Sequence, residues 1–484
     1  MTKAYIHNDF LLQNETAKHL YHTYAKNLPI IDYHNHLDAK EIYGNSQLKT
    51  ISQAWLSSDH YLWRAMRSTG IDEHFITGSA SEFEKFQRWC ECVPYLIGNP
   101  LYAWSHLELK RYFEIDTLIQ PKNTNLLWQQ CNDQLAHPNF RIRQVIERSN
   151  VDILCTTDSP LSALKYHQML AQSDFSSRVL PTFRSDDVSQ IENNHKFKEI
   201  VNQLSFVCHQ AINNFSDYLA ALSQRVEFFH QQGCRLSDLG LKKVHFTPST
   251  PQELDVAFAR VLSLSSLTQK QTKQLESAIF VHLGKAYHQH GWTMQLHIGV
   301  HTNVNTRRFK QVGAGTGFSV MNDDSIVENV CLLLDQLDQK NALPQTILYS
   351  LNPKDFEPLA SILGAFQDNA HDSNATNHSP STPPNDSRMS KIQLGPAWWF
   401  NDHKDGMEKQ LKTLANLGAL GRFIGMLTDS RNVFSLSRHE YFRRVLCNLI
   451  GDWVEKGEVP NDETLLKNTI ENICYYNAKA YFRF

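Results

Sequence analysis

The chain has 484 residues, and its 47 Lys plus Arg against 50 Asp plus Glu leave a net charge of −3. That balance gives no electrostatic case for nucleic acid or for an anionic membrane surface, so any preference for an anion must come from a few local groups. Apolar residues at 41% and charged residues at 20% are ordinary for a folded soluble protein, and no apolar run of about 18 residues is present to span a membrane.

The first 20 residues show neither an apolar signal core nor a cleavage pattern, so no secretory leader is expected. A first strand is predicted over residues 28–31, leading into Asp32, Tyr33, His34, Asn35 and His36. Residues 39–150 are too long for one loop and rich in Trp, Tyr, Phe and Leu; they read as a helical insertion after that strand, a lid or wall or a plain packed subdomain. Further short apolar runs follow at 151–155, at 178–181 (ahead of Arg184), more weakly at 234–238, and at 292–297, which ends in His297. The last three lie at 346–350, 391–395 and 423–428, the final one immediately before Asp429. Amphipathic helices are predicted over 217–232, 269–289 and 406–417, each stopping at or near a glycine, a common C-cap signal. Residues 368–387, dominated by Asn, Ser, Thr, Pro and Asp, read as a disordered surface loop.

Strands alternating with helices mean β-α units and a parallel sheet. Eight candidate strands suit a closed (β/α)8 barrel of the TIM type, although an open doubly wound sheet fits the same alternation. The expected organisation is an N-terminal segment with the first strand (1–38), the helical insertion (39–150) and the remainder of the barrel (151–484). The 9 cysteines are an odd number with no C-x-x-C pair, which points to unpaired thiols and a cytoplasmic location.

His34 and His36 stand at i and i+2 beyond an apolar strand, so both imidazoles point to one side. His297 and Asp429 also end predicted strands, and in a barrel those ends converge on one mouth. Each has a plainer reading, His297 as a buried structural histidine and Asp429 as a helix N-cap. Together the four would hold one divalent metal ion, with Zn²⁺ well suited to three imidazoles and a carboxylate. Arg184 and Arg431 occupy equivalent strand-end positions, where guanidinium forks suit a carboxylate or phosphate; Arg184 could instead pair with Asp186 or Asp187. Trp398 and Trp399 follow the seventh strand and could wall a sugar-sized pocket or simply pack under a loop. His60 and Tyr61 bring acid-base groups into the insertion.

The stretches IIDYHNHLD, DHYLWRAMR, LCTTDSP, VLPTFR, QLHIG, ILYSLNP, WWFNDHKDGME and MLTDSR, the last followed by RHEYFRR, run over nearly the whole chain. In these the chain resembles the uronate (glucuronate) isomerases of the amidohydrolase superfamily. The resemblance implies a distorted (β/α)8 barrel and an aldose–ketose isomerase acting on D-glucuronate and D-galacturonate through a cis-enediol. It also implies a small sugar acid as the only partner apart from copies of the same chain. Residue by residue it implies His34, His36, His297 and Asp429 as metal ligands, and Asp429, Arg431, His60 and Tyr61 at the chemistry. Arg184 is implied to meet the sugar acid, together with Arg431, His60 and Trp399. Where the family reads SDHG this chain has Ser237, Asp238, Leu239 and Gly240, and where it reads GPDTGFDS both acids are gone, leaving Gly315 and Ser319. Residues 368–387 extend beyond the family's usual length. Two other functions fit the same residues: a mononuclear metal-dependent hydrolase of the superfamily, and a sugar-acid sensor without turnover.

Overall fold

The computed structural model describes residues 4–191, 193–367 and 389–484, so the predicted loop at 368–387 lies outside the described residues. The strands are β1 (Ile30–Asp32), β2 (Val151–Cys155), β3 (Arg178–Leu180), β4 (Phe183–Arg184), β5 (Leu236–Leu241), β6 (Thr293–Ile298), β7 (Val300–His301), β8 (Val320–Met321), β9 (Gln345–Ser350) and β10 (Ile392–Leu394). They form two all-parallel sheets, in the orders β1-β2-β3 and β4-β5-β6-β9-β10, and β7 and β8 make a small antiparallel pair. Buried apolar runs such as Leu236, Met294, Leu296, Ile347 and Leu348 explain why these segments sit inside, covered by helices.

The two sheets meet in one run of chain. β3 and β4 are separated only by Pro181 and Thr182, and proline has no N–H to give a ladder. The backbone still bridges the gap. Thr156 N–H donates to Leu180 O, Asp158 N–H to Thr182 O and Arg184 N–H to Asp158 O, at 2.9–3.0 Å.

The run 423–428, expected as the eighth strand, forms no regular strand. Gly425 breaks it with a φ of +75°, and a Cβ there would lie 2.4 Å from Ile473 O. The segment is tied to β1 and the chain beyond it by other means. Buried Asp32 accepts from Thr428 N–H (2.8 Å) and from the Thr428 hydroxyl (2.7 Å). Asp429 N–H donates to His34 O at 3.1 Å, and His36 N–H to Ser430 O at 2.8 Å. Asp429 thereby reaches the end of β1 without a sheet ladder.

Between β1 and β2 the chain is a succession of helices, from Ala39–Gly44 to Ile142–Arg148. Trp55, Trp89 and Trp104 are almost wholly buried among them. The predicted helices are observed at Phe215–Gln231, Gln269–Gln289 and Lys404–Leu417. Among the described residues no helix is long and apolar enough to cross a membrane, and all nine cysteines are free.

A buried ionic group joins these helices to the helix Arg438–Glu455. The Arg438 guanidinium lies over Trp104 at 4.0 Å, with Asp59 at 3.7 Å and Asp402 at 3.9 Å. Nearby, Glu108 is 4% exposed and accepts from Trp55 Nε1 at 2.5 Å. Burial pushes the Glu108 carboxyl up to about 8, despite the lowering influence of Arg438 and of the Trp55 hydrogen bond. Between 4.5 and about 8 the folded chain therefore keeps a proton that the unfolded chain releases. Stability from this group is present at the acid end and is lost as pH rises, at up to about 1.4 kcal/mol per pH unit. Glu108→Gln is expected to remove that decline. Urea unfolding at pH 5 and pH 8 checks it, and equal losses in variant and wild type would refute it.

Candidate active site

Every predicted site residue except Tyr61 lines one cavity of about 520 Å³ at the carboxyl ends of the strands: His34, His36, His60, Arg184, His297, Trp399, Asp429 and Arg431. His34 and His36 follow β1, and His297 sits within β6. Asp429 has left-handed backbone with φ 50°, fixed by its bond to His34 O. The Nε2 atoms of His34 and His36 lie 3.2 Å and 2.9 Å from Asp429 Oδ1. The other carboxylate oxygen, Oδ2, accepts from Trp398 Nε1 at 2.9 Å.

Among the described residues, the atoms that could hold a metal fall into two overlapping groups rather than one set of four. His34, His36 and Asp429 offer atoms within 4.8 Å of one another, and so do His34, Asp238 and His297. His34 belongs to both, with its ring centroid 4.6 Å from that of His297. His297 Nδ1 lies 2.7 Å from Asp238 Oδ1, and its ring stacks on Tyr349 at 4.3 Å. Asp238 also meets Arg184, whose Nη1 is 3.1 Å from Oδ2.

Burial alone would raise the Asp429 carboxyl, but its interactions with His34 and His36 outweigh it and hold the group well below its usual range. Burial pushes His36 down to about 4, against the influence of Asp429. It also lowers His297, against Asp238. Asp238 would likewise be raised by burial; Arg184, His297 and His34 keep it strongly depressed.

The tautomer of His36 follows from its neighbours. The Thr157 hydroxyl has one hydrogen, which it donates to Asn35 O at 3.2 Å. It must then accept from His36 Nδ1, 2.7 Å away. That leaves the His36 Nε2 lone pair facing a carboxylate oxygen at 2.9 Å, an arrangement that calls for a cation between them. Buried His34 Nδ1 and His297 Nε2 have no hydrogen-bond partner among the described residues. The donor set of imidazoles and carboxylate therefore fits a divalent metal ion.

Arg184 lines the cavity and pairs with Asp186 at 3.3 Å, the plainer of its two expected roles, and also with Asp238. Arg431 is exposed at the cavity wall. His60 begins the helix His60–Ser68, capped by Asp59, and its ring sits 4.7 Å from Trp399. Tyr61 is turned elsewhere, with its hydroxyl donating to Asp402 Oδ2 at 2.8 Å. Sequence reasoning passed over Asp238 and Thr157, and it named Trp398 only as a pocket wall, not as the donor to Asp429. Asp238 carried a usable signal, an acid at the end of a predicted strand like Asp429. Of the departures noted above, Gly315 and Ser319 line the cavity. Leu239 instead lines a separate groove with Leu241 and Phe280, because successive side chains in β5 face opposite ways.

The glucuronate isomerase family model matches residues 1–482. A uronate isomerase of Bacillus licheniformis is 47% identical over 482 residues, covering 100% of this chain and 98% of that protein. One of Bacillus pumilus is 46% identical, covering 100% and 97%. In three dimensions the chain is similar to the crystal structure of a uronate isomerase from Thermotoga maritima, with a TM-score of 0.90 and 31% identity over 99% of this chain and 100% of that one. With its site assembled at the strand ends and its whole length matched, the chain belongs to the glucuronate isomerase family.

Proposed function

We propose that the protein interconverts uronates and their 2-keto isomers, D-glucuronate with D-fructuronate and D-galacturonate with D-tagaturonate. The observation that carries this reading is family membership over residues 1–482 in a chain whose His34, His36 and Asp429 converge in one cavity. The two parallel sheets, with the run 423–428 lying against β1, support one distorted (β/α)8 barrel. Residues 39–150 are its helical insertion, and the nine free thiols suit the cytoplasm.

His34, His36 and Asp429 would hold one divalent ion, with His297 beside them and Zn²⁺ the best match to these donors. When bound, such an ion supplies Lewis acidity toward a substrate oxygen. The remaining work belongs to the side chains. Asp429, kept as a carboxylate, takes the proton from C2 and returns it to C1, while the O2 hydroxyl proton moves to O1; the formula is unchanged and no water is consumed. Trp398 holds the idle oxygen of Asp429 and so aims the other. Arg431 and Arg184 receive the sugar carboxylate, and His60 and Trp399 form the wall against the ring. Tyr61 reaches the enediol oxygens only after releasing Asp402.

Incubation with glucuronate is expected to give the ketose, with metal analysis of the purified protein showing about one equivalent of bound ion. Cleavage of lactones or amides with uronates left untouched would overturn the reading. Thr157→Val is expected to weaken metal binding by about 10–100-fold, because His36 loses the acceptor that fixes its tautomer. Competition with a chelator measures this, and an unchanged affinity would refute it.

A further inference from the structure

A second cavity, of about 600 Å³, lies at the opposite ends of the strands. Its lining includes Ile30 and Asn150, joined by a backbone hydrogen bond where β1 and β2 begin. Five cationic side chains face it, Lys26, Arg111, Arg148, Arg443 and Arg444, against one carboxylate, Glu440. The chain as a whole balances 47 basic against 50 acidic residues, so this local excess does not follow from composition.

Structural duty accounts for part of the cluster. Arg443 is spent on backbone carbonyls of Ala25, Leu28 and Pro29. Glu440 is gripped by Arg111 through Nε and Nη2, both at 2.7 Å, and by Arg444 through Nε at 2.8 Å. Arg444, 2% exposed, also donates through Nη1 to Asn8 O and Phe10 O. What remains is unspent. Among the described residues, Arg111 Nη1 and Arg444 Nη2 have no acceptor, and neither Lys26 nor Arg148 has a carboxylate partner. Arg148 is instead laid over the Phe140 ring at 4.4 Å.

We infer that this cavity is an anion site for a small phosphorylated molecule, distinct from the uronate site and independent of the isomerase reading. Guanidinium nitrogens in fixed directions suit an oxyanion with several acceptors. A single carboxylate would offset one charge of the excess through two oxygens, whereas a phosphoryl group offsets about 1.5 to 2 and brings three acceptor oxygens. The volume leaves room for an organic portion beyond the phosphoryl group.

Calorimetric titration with inorganic phosphate at fixed ionic strength tests this. Wild type is expected to bind one equivalent saturably. Arg184→Gln, at the uronate site, should bind it unchanged. Lys26→Gln combined with Arg148→Gln should bind it at least about 10-fold more weakly while turning over uronates as wild type does. Both substituted groups are exposed, and circular dichroism checks that the double variant is folded; Lys26→Glu alone gives a second, milder test in the same direction. Absence of saturable binding overturns the inference. So does an affinity that falls with Arg184→Gln or that survives the double substitution and Lys26→Glu.

Discussion

Asp429→Asn is expected to lower kcat on glucuronate by roughly 10²–10⁴-fold, the range for removing a positioned general base. The side chain has two tasks that this exchange separates. Its Oδ1 faces the Nε2 atoms of His34 and His36, and its Oδ2 accepts from Trp398. Asn keeps the size and one acceptor oxygen but removes the charge, so the amide neither takes a proton nor neutralises a cation. Metal affinity should therefore fall alongside kcat. If excess metal restored full occupancy while kcat stayed low, the carboxylate would be needed for the proton itself. Turnover within a factor of about 10 of wild type at full occupancy would refute the assignment. Trp398→Phe offers a milder comparison: Oδ2 loses its donor while the carboxylate remains, and kcat should fall without loss of bound metal.

How far the site was legible follows from where its signals sit along the chain. His34 and His36 announce themselves locally, since a strand's two-residue period aims both at one side. His297 and Asp429 were legible through their places at the ends of apolar runs. The partner of His297 was not: Asp238 closes a weakly predicted strand, and no local pattern ties it to a histidine 59 residues further on. Thr157 to His36, Trp398 to Asp429 and Tyr61 to Asp402 link positions 121, 31 and 341 residues apart. No local periodicity encodes such pairings. The eighth run misled for a definite reason. Its apolar residues read as a strand, but Gly425 takes a conformation closed to a ladder, and the Asp32 carboxylate joins the run to β1, with backbone bonds only beyond it at His34 and His36.

Arg438→Met is expected to lower the free energy of unfolding by about 3–5 kcal/mol, as breaking a buried ionic group does when its acids are left behind. Arg438 is 3% exposed and serves Asp59, Asp402 and Glu108 at once. Met matches the apolar stem of Arg438 but removes the guanidinium from the Trp104 ring and leaves those carboxyls without a cation. The deficit should depend on pH in a definite direction. Burial already raises Asp402 and Glu108, with Arg438 opposing the shift in both. Without it both rise further, and folded protein holds protons that unfolded protein releases over a wider interval. The variant's loss should therefore be smallest near pH 5, where the acids are closer to neutral, and largest above about 8. Activity should suffer as well, because Asp59 caps the helix that carries His60 and Asp402 receives the Tyr61 hydroxyl. Removing one of the stranded acids at the same time, as in Arg438→Met with Glu108→Gln, should recover part of the stability at pH 8. If the single variant unfolds with the same free energy as wild type at both pH values, Arg438 does not bind this group together, and the helices around Trp104 are held by apolar packing alone.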